Sequence, residues 1–143
     1  MNGAMVRPFE SLSVGSEITP LDRAPSTVDL FQMSATLGIA HRIHYDDPYT
    51  RNVEGHRAIL VQGPLQASYI VQAALAWAGH GVSPYSFTFR HLSPAYVDEV
   101  ITCGGLVSAI AAADRRVTCS MWSKNKDGVK LTVGDVILQW PRA

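Results

Sequence analysis

Three of the five histidines, His41, His44 and His56, fall in one polar stretch, IAHRIHYDDPYTRNVEGHRA, together with the adjacent carboxylates Asp46 and Asp47. Imidazole and carboxylate side chains close together are the usual means of moving protons near neutral pH. Two of these residue types also have plainer uses: Asp46-Asp47-Pro48 is a natural turn sequence, and a histidine such as His41 can bridge a loop by hydrogen bonds. No metal site is indicated, because the histidines and carboxylates fall in a stretch without helical periodicity and Cys103 and Cys119 stand apart. There is no G-x-S-x-G elbow, phosphate loop or dinucleotide fingerprint. The stretch shows no sustained periodicity and reads as a long loop, a kind of segment that more often carries function than merely connects.

Two helices flank this loop. The segment from Ser26, STVDLFQMSATLG, offers a Ser N-cap, Asp29 at N3, apolar Leu30, Met33 and Leu37, and Gly38 as a stop. The stronger helix is GPLQASYIVQAALAWAG, with Pro64 in the first turn, Gly79 at the end and a wide stripe of Leu65, Tyr69, Ile70, Ala73, Ala74 and Trp77. Its alanine content predicts close packing on several sides. After it, Tyr85 to Arg90 alternates at period two, and Glu99–Ile110, Arg115–Lys124 and Val129–Trp140 follow as further strands. Turns are expected at Ala112-Ala113-Asp114 and Asn125 to Gly128, and bulges at Gly104-Gly105 and Gly134. A strand from about Gly15 to Arg23 completes the sheet at one edge.

The fold class predicted is α+β: a curved antiparallel sheet wrapped round one long helix, since neither element can bury its apolar face alone. A chain of 143 residues with 47% hydrophobic residues suits a single domain over 1–143. Twelve basic against twelve acidic residues leave no basic face for nucleic acid. The longest apolar run, Ile70–Ala78, is far short of the ~20 residues of a membrane span. MNGAMVRPFESLSVG has neither the apolar core nor the cleavage site of a secretory signal, so a cytoplasmic location is expected, with the two cysteines as buried apolar filler. An exposed strand edge predicts pairing with a second chain.

Four stretches resemble the MaoC-like dehydratases and R-specific enoyl-CoA hydratases of the hot-dog fold, especially the mitochondrial-type hydroxyacyl-thioester dehydratase and mesaconyl-CoA hydratase branch. They are His41-Arg42-Ile43-His44-Tyr45-Asp46, Val61-Gln62-Gly63-Pro64-Leu65-Gln66-Ala67, Phe89-Arg90-His91-Leu92-Ser93-Pro94 and Gly134-Asp135-Val136-Ile137. The resemblance implies an enoyl-thioester hydratase, or 3-hydroxyacyl-thioester dehydratase, acting on acyl-CoA or carrier-bound chains at the interface of paired hot-dog units. Coenzyme A would enter only as part of the substrate. It implies that His44 is catalytic and that the Gly63 N–H polarises the thioester, a role that a helix N-terminus also suits physically. Ser68 matches a serine that helps hold the catalytic acid, and Gln62, His41 and Arg90 fall where substrate would be lined. Arg90 and His91 read equally as tunnel lining or as a cross-strand polar pair, and His56 and Arg57 as contacts to the nucleotide of coenzyme A or as exposed loop.

The resemblance departs at Ile39, where the family places Asp or Asn five residues before its histidine. Isoleucine neither orients water nor carries a proton. Two readings follow: a hydratase in which another side chain stands in, or an impaired hot-dog subunit paired with an active chain. The central helix carries no acidic residue from Gly63 to Gly79, which ranks hot-dog thioesterase chemistry below hydration.

Overall fold

The computed structural model describes residues 5–142. β1 (Glu17–Arg23), α1 (Thr27–Leu37), α2 (Asp47–Asn52), α3 (Gly63–Ala78), β2 (Ser83–His91), β3 (Ile101–Ala111), β4 (Arg116–Asn125) and β5 (Lys130–Gln139) follow in that order. The strands form one antiparallel sheet in the order β1-β3-β4-β5-β2. α3 touches all five strands, so the sheet curls round it, which is the hot-dog fold.

Alanine makes this wrapping possible. Ala73, Ala74 and Ala78 are fully buried, and their small side chains let the sheet close on the helix beside Ile70, Tyr69 and Trp77. Facing them lie Ile101, Cys103 and Val107 of β3, Val117, Cys119 and Met121 of β4, and Leu131, Val136 and Leu138 of β5. Burying each large aliphatic side chain here contributes about 1.5–3 kcal/mol. Both thiols are free, and burial pushes each up to about 12.

α1 begins as the sequence implies. The Ser26 hydroxyl accepts from Asp29 N–H while the Asp29 carboxylate takes the Ser26 N–H at 2.7 Å, a reciprocal cap, and Gly38 ends the helix at φ +65°.

Two expectations change. The sheet irregularities lie between Ile18 and Leu21, Pro84 and Ser86, Val107 and Ala109, and Ser123 and Lys124, not at the glycines. Gly104 and Gly134 pair in register because their neighbours leave no room for a side chain. A Cβ at Gly104 would meet the Trp122 ring at 2.7 Å, and one at Gly134 would strike the Thr88 carbonyl oxygen. The polar stretch after α1 is also more ordered than a loop. It holds a single 3-10 turn at Arg42–His44 and the short helix α2, with Asp46 as N-cap rather than turn residue.

Candidate active site

Each residue of the segment carrying His44 is tied down locally. His41 caps the 3-10 turn, its Nδ1 accepting from Ile43 N–H at 3.3 Å. Asp46 caps α2 through Tyr49 N–H at 3.0 Å and takes the Arg42 guanidinium at 2.7 Å. Those contacts hold the Asp46 carboxyl below its ordinary value, the Tyr49 N–H first and Arg42 second. Asp47 is paired with Arg51 at 2.7 Å. Both carboxylates are engaged within their own turns.

The turn is then laced to the strand-like run that enters α3. Leu60 N–H donates to the Ile43 carbonyl at 2.9 Å, and His44 Nδ1 lies 2.8 Å from the Leu60 carbonyl oxygen. A carbonyl can only accept, so Nδ1 carries the hydrogen and Nε2 keeps its lone pair. Burial pushes His44 below 6.5, with the Leu60 carbonyl opposing and nearby His41 assisting. The folded chain therefore presents a neutral, half-buried imidazole with a free basic nitrogen.

Three residues beyond Leu60, α3 opens with Gly63 and Pro64, and no acidic residue shares its first turn. The first bond into the helix is Gln66 N–H to the Gln62 carbonyl at 3.1 Å. Among the described residues no acceptor meets the Gly63 N–H, and the positive end of a 16-residue helix lies behind it. Gly63 is also covered: a Cβ there would stand 2.7 Å from Nε2 of His91, the last residue of β2.

The remaining site residues read from sequence sit elsewhere. Gln62 is fully buried, and its amide donates to the Leu30 carbonyl at 2.7 Å and the Ser34 hydroxyl at 2.9 Å, tying α1 to the start of α3. It is a strut rather than a lining residue. Ser68 donates to the Leu65 carbonyl at 2.7 Å and receives Gln72 at 3.3 Å, so it does not hold His44; serine inside a helix bonds back to the preceding turn. Arg90 is exposed and, because side chains alternate along a strand, lies on the face opposite His91. His41 stands edge-on to His44 with ring centres 6.3 Å apart. His56 meets Tyr96, and Arg57 is paired with Glu99 and stacked on Tyr96 at 4.1 Å. Ile39 lines an open, largely apolar surface depression with Phe31, Ala35, Ala40 and Tyr45, of which Phe31 and Tyr45 are more than half exposed. The sequence names Arg90 as a lining residue and leaves tunnel lining or a cross-strand polar pair open for both Arg90 and His91. No pattern in the sequence singles out His91; its register with Thr132 exists only in the folded sheet.

A sheet wrapped on a helix, with a histidine-bearing segment bonded to the run that enters that helix, defines a hot-dog protein. The family described as hydroxyacyl-thioester dehydratase type 2 matches residues 11–97, and the chain belongs to it. Among curated proteins it is 37% identical over 67 residues to a mesaconyl-C(4)-CoA hydratase from Chloroflexus aurantiacus, a match covering 47% of this chain but only 23% of that one. The (R)-hydratase from A. caviae involved in PHA biosynthesis superposes with a TM-score of 0.84 at 19% identity, over 92% of this chain and 99% of the other. A chain of the ChsH1-ChsH2 complex from Mycobacterium tuberculosis gives 0.78 at 19% identity, over 90% and 98%. At such identities these two structures speak to the fold alone.

Proposed function

We propose that this protein hydrates enoyl thioesters and, in reverse, dehydrates 3-hydroxyacyl thioesters, the acyl chain being carried on coenzyme A or on a carrier protein. One observation carries the reading: His44 offers a free Nε2 while its Nδ1 is held by the segment that delivers the unpaired Gly63 N–H. In hydration the Nε2 lone pair takes a proton from water as the oxygen bonds to Cβ. The double-bond electrons move onto the thioester oxygen, where the Gly63 N–H and the helix end meet the charge. The imidazolium then returns the proton to Cα, and no atom is left over. The thioester brings its own activation, so the chemistry calls for no separate cofactor.

A second chain fits the free edge of the sheet. β2 is exposed along its whole length, and Phe87 and Phe89 stack at 6.0 Å with 49% and 42% of their surface open, a large apolar strip for one domain to leave in water. Pairing along β2 would cover it and wall the approach to Gly63. Two buried, unpaired thiols suit a reducing cytoplasm.

Ile39 favours a second reading, in which this chain is the impaired half of a heterodimer. Its apolar pocket supports that reading because no carboxylate is available there. Loss of the conjugated thioester absorbance of crotonyl-CoA and mesaconyl-CoA, with His44→Ala as control, decides between them. A His44-dependent loss supports the hydratase; no loss by the pure chain supports the paired subunit.

A further inference from the structure

Behind α3 runs a short buried relay that the chemistry above leaves unused. Gln66 Nε2 donates to the Val61 carbonyl at 3.2 Å, which turns the Gln66 Oε1 toward β5. Thr132, fully buried, donates its one hydroxyl proton to that oxygen at 3.2 Å. The Thr132 oxygen then acts as acceptor toward His91 Nδ1 at 2.9 Å. The chain of donors fixes the tautomer: hydrogen on Nδ1, lone pair on Nε2. Phe89 flanks the ring at 5.2 Å, and Nε2 has no partner among the described residues although the side chain is open to solvent.

Gln66, Thr132 and His91, from three segments, hold a second imidazole with Nε2 beside the glycine that opens α3, where only the lack of a side chain on Gly63 leaves room for it. His44 presents the same nitrogen in the same state from Leu60, and three extended residues span at most about 11 Å. A reacting water has two O–H bonds, and its oxygen attacks best when both are held and the lone pair is left for Cβ.

We propose that His91 is a further catalytic residue of the thioester site, its Nε2 accepting one O–H of the reacting water while His44 Nε2 accepts the other, in place of the side chain that Ile39 cannot supply. The proposal rests on the hydratase reading. In the step, the proton held by His44 leaves the water as the O–Cβ bond forms and returns to Cα. The proton held by His91 stays on the new hydroxyl. Burial keeps His91 below its ordinary value, so it too is neutral near pH 7 and able to accept.

The test compares wild type, His44→Ala, His91→Phe and His91→Gln on crotonyl-CoA, reading kcat and KM separately together with the melting transition. Phe keeps the ring and loses the lone pair, whereas Gln keeps a donor for Thr132 and an oxygen acceptor. The expected result is a kcat lower by about 100-fold for His91→Phe and about tenfold for His91→Gln, each with KM within about threefold of wild type. If His91→Phe does not melt cooperatively, His91→Gln carries the comparison alone. An active wild type and inactive His44→Ala beside an unchanged kcat in the His91 variant overturn this proposal and leave the hydratase reading standing. A Gln variant no faster than a folded Phe variant also overturns it. A wild type without activity overturns the hydratase reading itself, and the proposal with it.

Discussion

The Nδ1 of His44 lies 2.8 Å from the main-chain oxygen of Leu60, so the imidazole is fastened to the extended run that feeds α3 and not to any carboxylate. Its protonation is therefore governed by burial against one carbonyl. Burial wins, and the folded His44 titrates below 6.5.

The rate should follow this. As pH climbs through the lowered value, His44 becomes neutral and kcat/KM for enoyl-thioester hydration rises, reaching its plateau at a lower pH than a histidine of ordinary pKa would give. Stability has the same sign. Below 6.5 the unfolded chain binds more protons than the folded one, so the stabilisation is present above 6.5 and lost as pH falls through the folded value. His91, lowered by burial as well, adds to that loss. Melting temperatures between pH 7.5 and 5 should fall, and His44→Gln should flatten the fall.

Ile39 and the pocket around it bear on whether the site is degraded or differently built. If His91 already holds the water, Ile39→Asp adds nothing that the site lacks, and kcat should stay within about threefold of wild type. A gain of about tenfold or more would favour the impaired-subunit reading, in which the restored carboxylate completes a missing pair. Initial rates on crotonyl-CoA with matched protein concentrations distinguish the two.

Gln62 joins two helices through one side chain. Gln62→Ala strips the Ser34 hydroxyl and the Leu30 carbonyl of a donor and opens a buried space, at a cost of about 1–3 kcal/mol in stability. A lower urea midpoint with an unchanged slope would report that cost. Because α1 leads into the segment holding His44, kcat should fall with it.

Much of this was legible in the sequence, for a physical reason. α3 advertises itself through Pro64, Gly79 and an apolar stripe, and the reciprocal cap of Ser26 and Asp29 is a local device between neighbours. The hairpins likewise depend on adjacent residues. What stayed hidden depends on context. Asp46-Asp47-Pro48 serves a turn or a helix start equally well, and only the bonds to Tyr49 and Arg42 decide it. Gly104 reads as a bulge until the Trp122 ring is seen against it. His91 over Gly63 is a contact between a strand end and a helix start, with no periodicity to announce it. Ser68 matched a motif, yet its hydroxyl turned back to Leu65.

The two sheet edges differ in a way that selects the partner face. Both edges carry one register break, but β1 is only seven residues long and carries Glu17, Asp22 and Arg23, charges that discourage strand addition. β2 is nine residues long, has Arg90 as its one full charge, and presents Tyr85, Phe87 and Phe89 to solvent. A second chain should therefore add along β2, continuing the sheet and covering the aromatic row that leads to His91 and Gly63. Phe87→Glu places a charge in the middle of that row at a half-exposed position. Sedimentation velocity should show a dimer for the wild type and a monomer for this variant, with its melting transition retained. The hydration rate should drop by about tenfold or more, because the opened groove admits bulk water around the thioester. A variant that sediments as wild type would place the interface on another face.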